Sequence, residues 1–208
     1  MTADMNLPLI LAAALIGAAS PGPTTLTLAG TAMEQGRGRA LAVAAGVTTG
    51  SLAWSVAAAL GLGAVMLANA WMFETLRYVG AGYLLFLAWK SARSALASTH
   101  AKLLVVAAGS ARRAYLKGLA LHLTNPKAIL FFGSLYAIGV PAAAPAPAVA
   151  LVVAAVGIQS ALIFHGYALL FSMPRVARGY ARLRRWFEGA FALAFGYAGF
   201  KILTARAA

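Results

Sequence analysis

Long stretches without a charged residue restrict this chain to a membrane fold. No residue from Met5 to Met33 is charged, and none from Ala40 to Phe73. A helix needs about 20 apolar residues to cross the hydrocarbon core of a bilayer. Only 10% of the chain is charged, against roughly a quarter in ordinary soluble domains, so little is available to cover a water-exposed surface. The sequence therefore predicts an all-α integral membrane protein.

The apolar segments and the charges between them predict six transmembrane helices. The first two lie within the uncharged stretches, and the third extends from about Trp71 to Trp89. The fourth extends from about Tyr115 to Ile138, and a fifth fits before Arg175. The sixth is predicted at about 187–203. Prolines interrupt the first and fourth helices, which are therefore expected to be broken.

An internal repeat relates the two halves of the chain. The residues Phe73-Glu74, Gly82-Tyr83 and Phe86 return with the same spacing as Phe187-Glu188, Gly196-Tyr197 and Phe200. Because each half has three spans, equivalent halves must cross the membrane in opposite directions, as in many secondary transporters. We therefore expect one domain, 1–208, made of two inverted three-helix repeats at about 1–98 and 112–208, with a cytoplasmic linker between them.

Basic residues predict the orientation in the membrane. The chain has 17 lysines and arginines, and thirteen of them follow spans 1, 3 and 5. The intervening loops at 67–71 and 139–148 contain none. Since cytoplasmic loops are enriched in Lys and Arg, both termini are expected outside the cytoplasm. The net charge of +13 then reflects contact with anionic lipid, and no nucleic-acid partner is predicted.

The first predicted break is Ser20-Pro21-Gly22-Pro23, followed by Thr24. A proline has no N–H, so carbonyl groups of the preceding turn lose their partners. In lipid such groups must be satisfied by protein, water or ligand, so this backbone is expected beside a cavity. Its free carbonyls are predicted to accept hydrogen bonds from a substrate ammonium. A simple proline kink relieved by neighbouring helices is the alternative.

The second predicted break is Asn125-Pro126-Lys127. Pro126 suits the first turn of a new half-helix, with Asn125 as its cap. The N-terminus of that half-helix carries unpaired N–H groups and a partial positive charge, to which Lys127 adds a full one. A substrate carboxylate is predicted here, and pairing of Lys127 with a backbone carbonyl is the alternative. The predicted substrate-binding residues are Ser20, Pro21, Gly22, Pro23, Thr24, Asn125, Pro126 and Lys127.

Two histidines within the spans, His122 and His165, are candidates for a proton relay. An imidazole changes its charge near neutral pH, which suits this role. His122 lies one helical turn before Asn125, so both are expected to face the same cavity. For each histidine the alternative is a neutral ring that is hydrogen-bonded between helices.

Taken together, these motifs resemble those of the LysE/RhtB family of bacterial amino acid exporters. The resemblance rests on Ser20-Pro21-Gly22-Pro23, the following Gly36-Arg37-Gly38-Arg39-Ala40, Gly82-Tyr83-Leu84 and Asn125-Pro126-Lys127. Many members have Asn or Asp after the Pro-Gly-Pro, whereas this chain has Thr24 and Thr25. The resemblance implies export of amino acids or close derivatives across the bacterial inner membrane, driven by the proton motive force.

Other functions are less well supported by the residues. A passive channel would show similar signals, and an intramembrane enzyme would need a nucleophile or a metal set. The chain has no Cys, no acidic residue between Glu74 and Glu188, and no HExxH motif. No catalytic residue, metal or cofactor is predicted. The expected partners are a small amino acid, protons and membrane lipid. Because no Asp or Glu lies near the two breaks in sequence, the amino acid is expected to be neutral. A homodimer is left open.

Overall fold

The computed structural model describes residues 5, 7–20, 22–68, 70–97, 105, 109–141 and 144–204. All regular structure within these residues is helical, which confirms the predicted all-α class. The helices are α1 (Leu7–Ala19), α2 (Pro23–Gln35), α3 (Arg37–Ala68), α4 (Ala70–Leu96), α5 (Ala111–Leu123), α6 (Pro126–Gly139), α7 (Ala146–Phe171) and α8 (Pro174–Thr204).

The same order of helix lengths occurs twice along the chain. Two short helices of 13 residues each precede two long ones of 32 and 27 residues. In the second half, helices of 13 and 14 residues precede helices of 26 and 31. The short helices are separated at the two predicted breaks, and α1 and α2 meet at an angle of 55°. The inverted arrangement of these halves remains a prediction.

Local sequence explains where the short helices begin and end. Pro23 and Pro126 occupy the first turns of α2 and α6, where a missing N–H costs no intrahelical hydrogen bond. Gly22 precedes α2 in an extended conformation and supplies no side-chain cap. Gly36 separates α2 from α3 with a φ of 79°, a conformation that glycine adopts without strain.

By length and composition, Arg37–Gly61 of α3 and Ala146–Phe171 of α7 are candidate membrane spans, and the bent pair of α1 and α2 is a third. The prediction of a separate basic loop after the fifth span is wrong. Ser172 and Met173 alone separate α7 from α8, so Arg175 and Arg185 lie within the helix that continues to Thr204. Helix α8 thus begins with a strongly basic segment.

Close packing of α3 against α5 fixes the position of the polar residues that both helices carry. A Cβ atom added at Gly46 would overlap the carbonyl oxygen of Tyr115, and one added at Gly118 would overlap that of Val43. The two backbones therefore approach as closely as small residues allow.

One buried apolar cluster includes Leu28, Val47 and Phe164, and a second includes Ile10, Phe132 and Val156.

Helices α4 and α8, which carry the internal repeat, pack against each other. Leu84, Leu87 and Phe195 form their buried apolar cluster. Glu188 is buried at this interface, where it accepts a hydrogen bond from Ser94 at 2.9 Å and lies 3.7 Å from Arg184. Arg184 can pair with Glu188 because it lies one turn earlier on the same face of the helix.

Candidate functional site

A cavity lies where the two helix breaks meet. Six of the predicted site residues line it: Ser20, Gly22, Thr24, His122, Asn125 and Lys127. Pro23 and Pro126 are not part of the lining, and Pro126 is exposed. Pro21 lies outside the described residues. The structure therefore brings together residues that are about a hundred positions apart in the sequence.

Lys127 joins the two breaks directly. Its Nζ atom donates a hydrogen bond to the backbone oxygen of Ser20 at 2.9 Å and another to the Ser20 hydroxyl. Pairing of Lys127 with a backbone carbonyl was the alternative interpretation of the sequence, and it is confirmed. The carbonyl belongs to the opposite break, however, so the ammonium lies in the cavity. An ammonium has three donors, and two of them are used here.

Side chains donate hydrogen bonds to the carbonyl groups that lose their helical partners at the first break. In a continuous helix the carbonyl of Gly17 would accept from residue 21, and that of Ala19 from residue 23, but both are prolines. The Ser20 hydroxyl donates to the Gly17 oxygen at 3.0 Å, and the Tyr167 hydroxyl donates to the Ala19 oxygen at 2.8 Å. Each of these carbonyls therefore already accepts one hydrogen bond from a side chain, and their binding of a substrate ammonium stays a prediction.

The N-terminus of α6 also differs from the prediction. The Lys127 amide donates to the Asn125 side-chain oxygen at 3.0 Å. The amides of Ala128 and Ile129 both donate to the Asn125 backbone oxygen, at 2.9 and 3.1 Å. Pro126 has no amide hydrogen, so the first turn keeps no unpaired N–H group. The prediction of Asn125 as a helix cap is confirmed, but a carboxylate would have to interact with the Lys127 ammonium rather than with backbone amides.

Asn125 links the second break to helix α2. Its side-chain nitrogen donates to the Thr24 hydroxyl at 3.3 Å, and both residues are buried. One amide side chain therefore caps α6 through its oxygen and contacts α2 through its nitrogen. A substitution at position 125 would disturb both contacts at once.

His122 lies in the cavity wall, as its spacing from Asn125 predicted. Its Nε2 atom is 3.2 Å from the Ser51 hydroxyl, which in turn lies 3.4 Å from the hydroxyl of Ser160. The other candidate, His165, does not line the cavity, and its Nδ1 atom pairs with the Ala161 oxygen of its own helix at 2.9 Å. The two histidines therefore do not share a site, and a relay through either of them stays a prediction.

Sequence reasoning missed the two serines and the aromatic part of the wall. Ser51 is the fifteenth residue of α3, and Ser160 is the fifteenth residue of α7. The spacing of the internal repeat pairs Ser51 with His165 and not with Ser160, so the repeat does not mark these two serines. Phe131, Phe132 and Phe164 supply apolar surface to the cavity, but buried phenylalanines are too common in such helices to have been singled out.

A largely apolar cavity with a few convergent polar groups, placed between broken helices of an apolar chain, is typical of a membrane transporter. Comparison with protein families identifies the transporter family: the model of the LysE type translocator matches residues 15–206. The chain belongs to this family, as the sequence motifs predicted.

Several bacterial proteins that are named for amino acid efflux are similar over most of the chain. The threonine efflux protein of Escherichia coli (strain K12) is 32% identical over 195 residues, which cover 92% of this chain and 94% of that protein. The threonine efflux protein of Salmonella typhi is 30% identical, with the same coverage of both chains. The leucine efflux protein of Klebsiella pneumoniae is 31% identical and covers 79% of this chain and 77% of its own length. No solved structure gave a significant match.

Proposed function

We propose that this protein is a secondary transporter that exports neutral amino acids from the bacterial cytoplasm. The observation that carries the proposal is the contact between Lys127 and Ser20, which joins the two helix breaks inside a cavity. Relatives that are named for the efflux of threonine and leucine support an amino acid as the substrate. Both are neutral amino acids, and the described cavity lining contains no carboxylate.

In the proposed mechanism, a substrate zwitterion inserts into the contact between Lys127 and Ser20. The substrate carboxylate accepts from the Lys127 ammonium, which has a third donor available. As the ammonium turns toward the carboxylate, the oxygen atoms of Ser20 become free to accept from the substrate ammonium. Thr24 and Asn125 lie beside these groups and hold the two breaks at the correct spacing. Substrate binding would thus replace a contact within the protein by two contacts through the ligand.

The same proposal includes the inverted repeat and coupling to protons. The duplicated order of two short and two long helices supports two equivalent halves that cross the membrane in opposite directions. Six spans result if α1 with α2, and α5 with α6, each form one broken span. Inward movement of protons would supply the driving force, with His122 and His165 as candidates to carry them.

Transport by the purified protein in inside-out membrane vesicles tests the function. With an acidic vesicle interior, we expect uptake of labelled threonine and leucine well above that of protein-free vesicles. The uptake should collapse when a protonophore removes the gradient. A passive channel would only equilibrate the substrate, whereas a carrier also shows counterflow against a preloaded unlabelled pool. Absence of uptake for all twenty amino acids would contradict the proposed function.

We propose an inner-membrane location with both termini outside the cytoplasm. The basic residues that follow spans 1, 3 and 5 support this orientation. A reporter that is active only outside the cytoplasm should work when fused after Ala143 and should be silent after Ala101. Activity after Ala101 would place the most basic part of the chain outside and would overturn the six-span topology.

A further inference from the structure

We infer that His122 recognises a hydroxyl group on the side chain of the transported amino acid. This inference rests on the proposed function and extends it to the substrate side chain. His122 lines the cavity and is 5% exposed, and its Nδ1 atom has no hydrogen-bond partner in the described part of the chain. A buried polar atom usually has a hydrogen-bond partner, and beside a cavity a ligand or a water can supply it.

The hydrogen bonds around His122 restrict what that partner can be. The Nε2 atom lies 3.2 Å from the Ser51 hydroxyl, which can donate or accept, so either ring nitrogen can carry the proton. If Nε2 donates to Ser51, the Nδ1 atom is an acceptor, and if Nε2 accepts, the Nδ1 atom carries the hydrogen and is a donor. A substrate hydroxyl can pair with the Nδ1 atom in both cases, because it has one donor and two acceptor sites.

The surroundings of the ring make the contact with the Nδ1 atom selective for a hydroxyl group. The ring of Phe164 lies 5.7 Å from that of His122, and the ring of Phe132 lies 6.5 Å away, both nearly perpendicular to it. A methyl group placed against His122 would gain apolar contact with these rings but would leave the Nδ1 atom unpaired. A hydroxyl in the same place satisfies it. The site should therefore prefer threonine to valine, which has the same shape but carries a methyl group instead of the hydroxyl.

Two substitutions separate recognition from a structural role. Asparagine can place its amide near the position of Nδ1, whereas glutamine reaches the position of Nε2 beside Ser51. If His122 recognises the hydroxyl, His122→Gln lowers the ratio of threonine to valine transport about tenfold, and His122→Asn retains most of it. If the ring only supports Ser51, glutamine is the better replacement and the ratio stays constant in both variants.

Initial uptake rates for threonine, allo-threonine and valine in the same vesicles provide the readout, because a ratio is independent of the amount of folded protein. His165→Gln is the matched control: it makes the same change at a histidine outside the cavity lining. Its ratio should keep the parental value, because a loss of rate through proton transfer affects both substrates equally. Equal transport of threonine and valine by the parent overturns the inference while export itself remains established. Transport of no amino acid by the parent removes the proposed function, and this inference with it.

Discussion

Replacing Lys127 by methionine is expected to reduce export by about ten- to a hundred-fold. Lys127 is the one cationic side chain in the described lining of the cavity, apart from the titratable His122. The first-turn backbone amides of α6 are already paired, so Lys127 is the charged group at this helix end that can bind a substrate carboxylate. Loss of a hydrogen bond to a charged group costs about 1.5–3 kcal/mol, which corresponds to this change in apparent affinity.

The measurement is the uptake rate in inside-out vesicles as a function of substrate concentration. Lys127→Arg should restore only part of the activity, because a planar guanidinium cannot reproduce the contacts of an ammonium with Ser20. Lys117→Met is the matched control, since it removes an exposed lysine on α5 outside the cavity. Because Lys127→Met also leaves the Ser20 carbonyl without this donor, protein abundance and melting temperature must be compared. A folded variant with parental rate and affinity would show that the substrate binds elsewhere.

The sequence predicted the helical class, both helix breaks and six of the residues that line the cavity. These predictions succeeded because proline acts locally: Pro23 and Pro126 end the hydrogen-bond ladder wherever they occur, and the lipid requires a partner for every group that they free. The spacing of His122 from Asn125 was also informative, since one helical turn places both side chains on one face. Local chemistry was sufficient in each case.

The partners of the freed groups could not be predicted. Tyr167 satisfies the carbonyl of Ala19 from a helix that is almost 150 residues away, and nothing local marks it among the other tyrosines. Similarly, the sequence placed Lys127 at a break but did not show that Ser20 would accept its hydrogen bonds. Such pairings depend on how α6 and α7 pack against α1. They are tertiary properties, and helix periodicity does not encode them.

Because the cavity carries the positive charge of Lys127, we expect lysine to be excluded as a substrate. A lysine side chain would bring a second ammonium close to Lys127, and no carboxylate in the described lining would offset its loss of hydration. An uncompensated buried charge costs several kcal/mol, so norleucine, which lacks only the terminal ammonium of lysine, should be transported about a hundred-fold better.

A single carboxylate in the cavity should reverse part of this exclusion. Thr24 is buried, lines the cavity and contacts Asn125, so Thr24→Asp places an acid close to the substrate side of the first break. Lysine should then gain on norleucine by about tenfold or more, because an opposite charge offsets the cost of burying the ammonium. Thr24→Asn has nearly the same size without the charge and should leave the ratio unchanged. If the parent transports lysine as well as norleucine, or if both variants change the ratio equally, the charge of the cavity does not select the substrate.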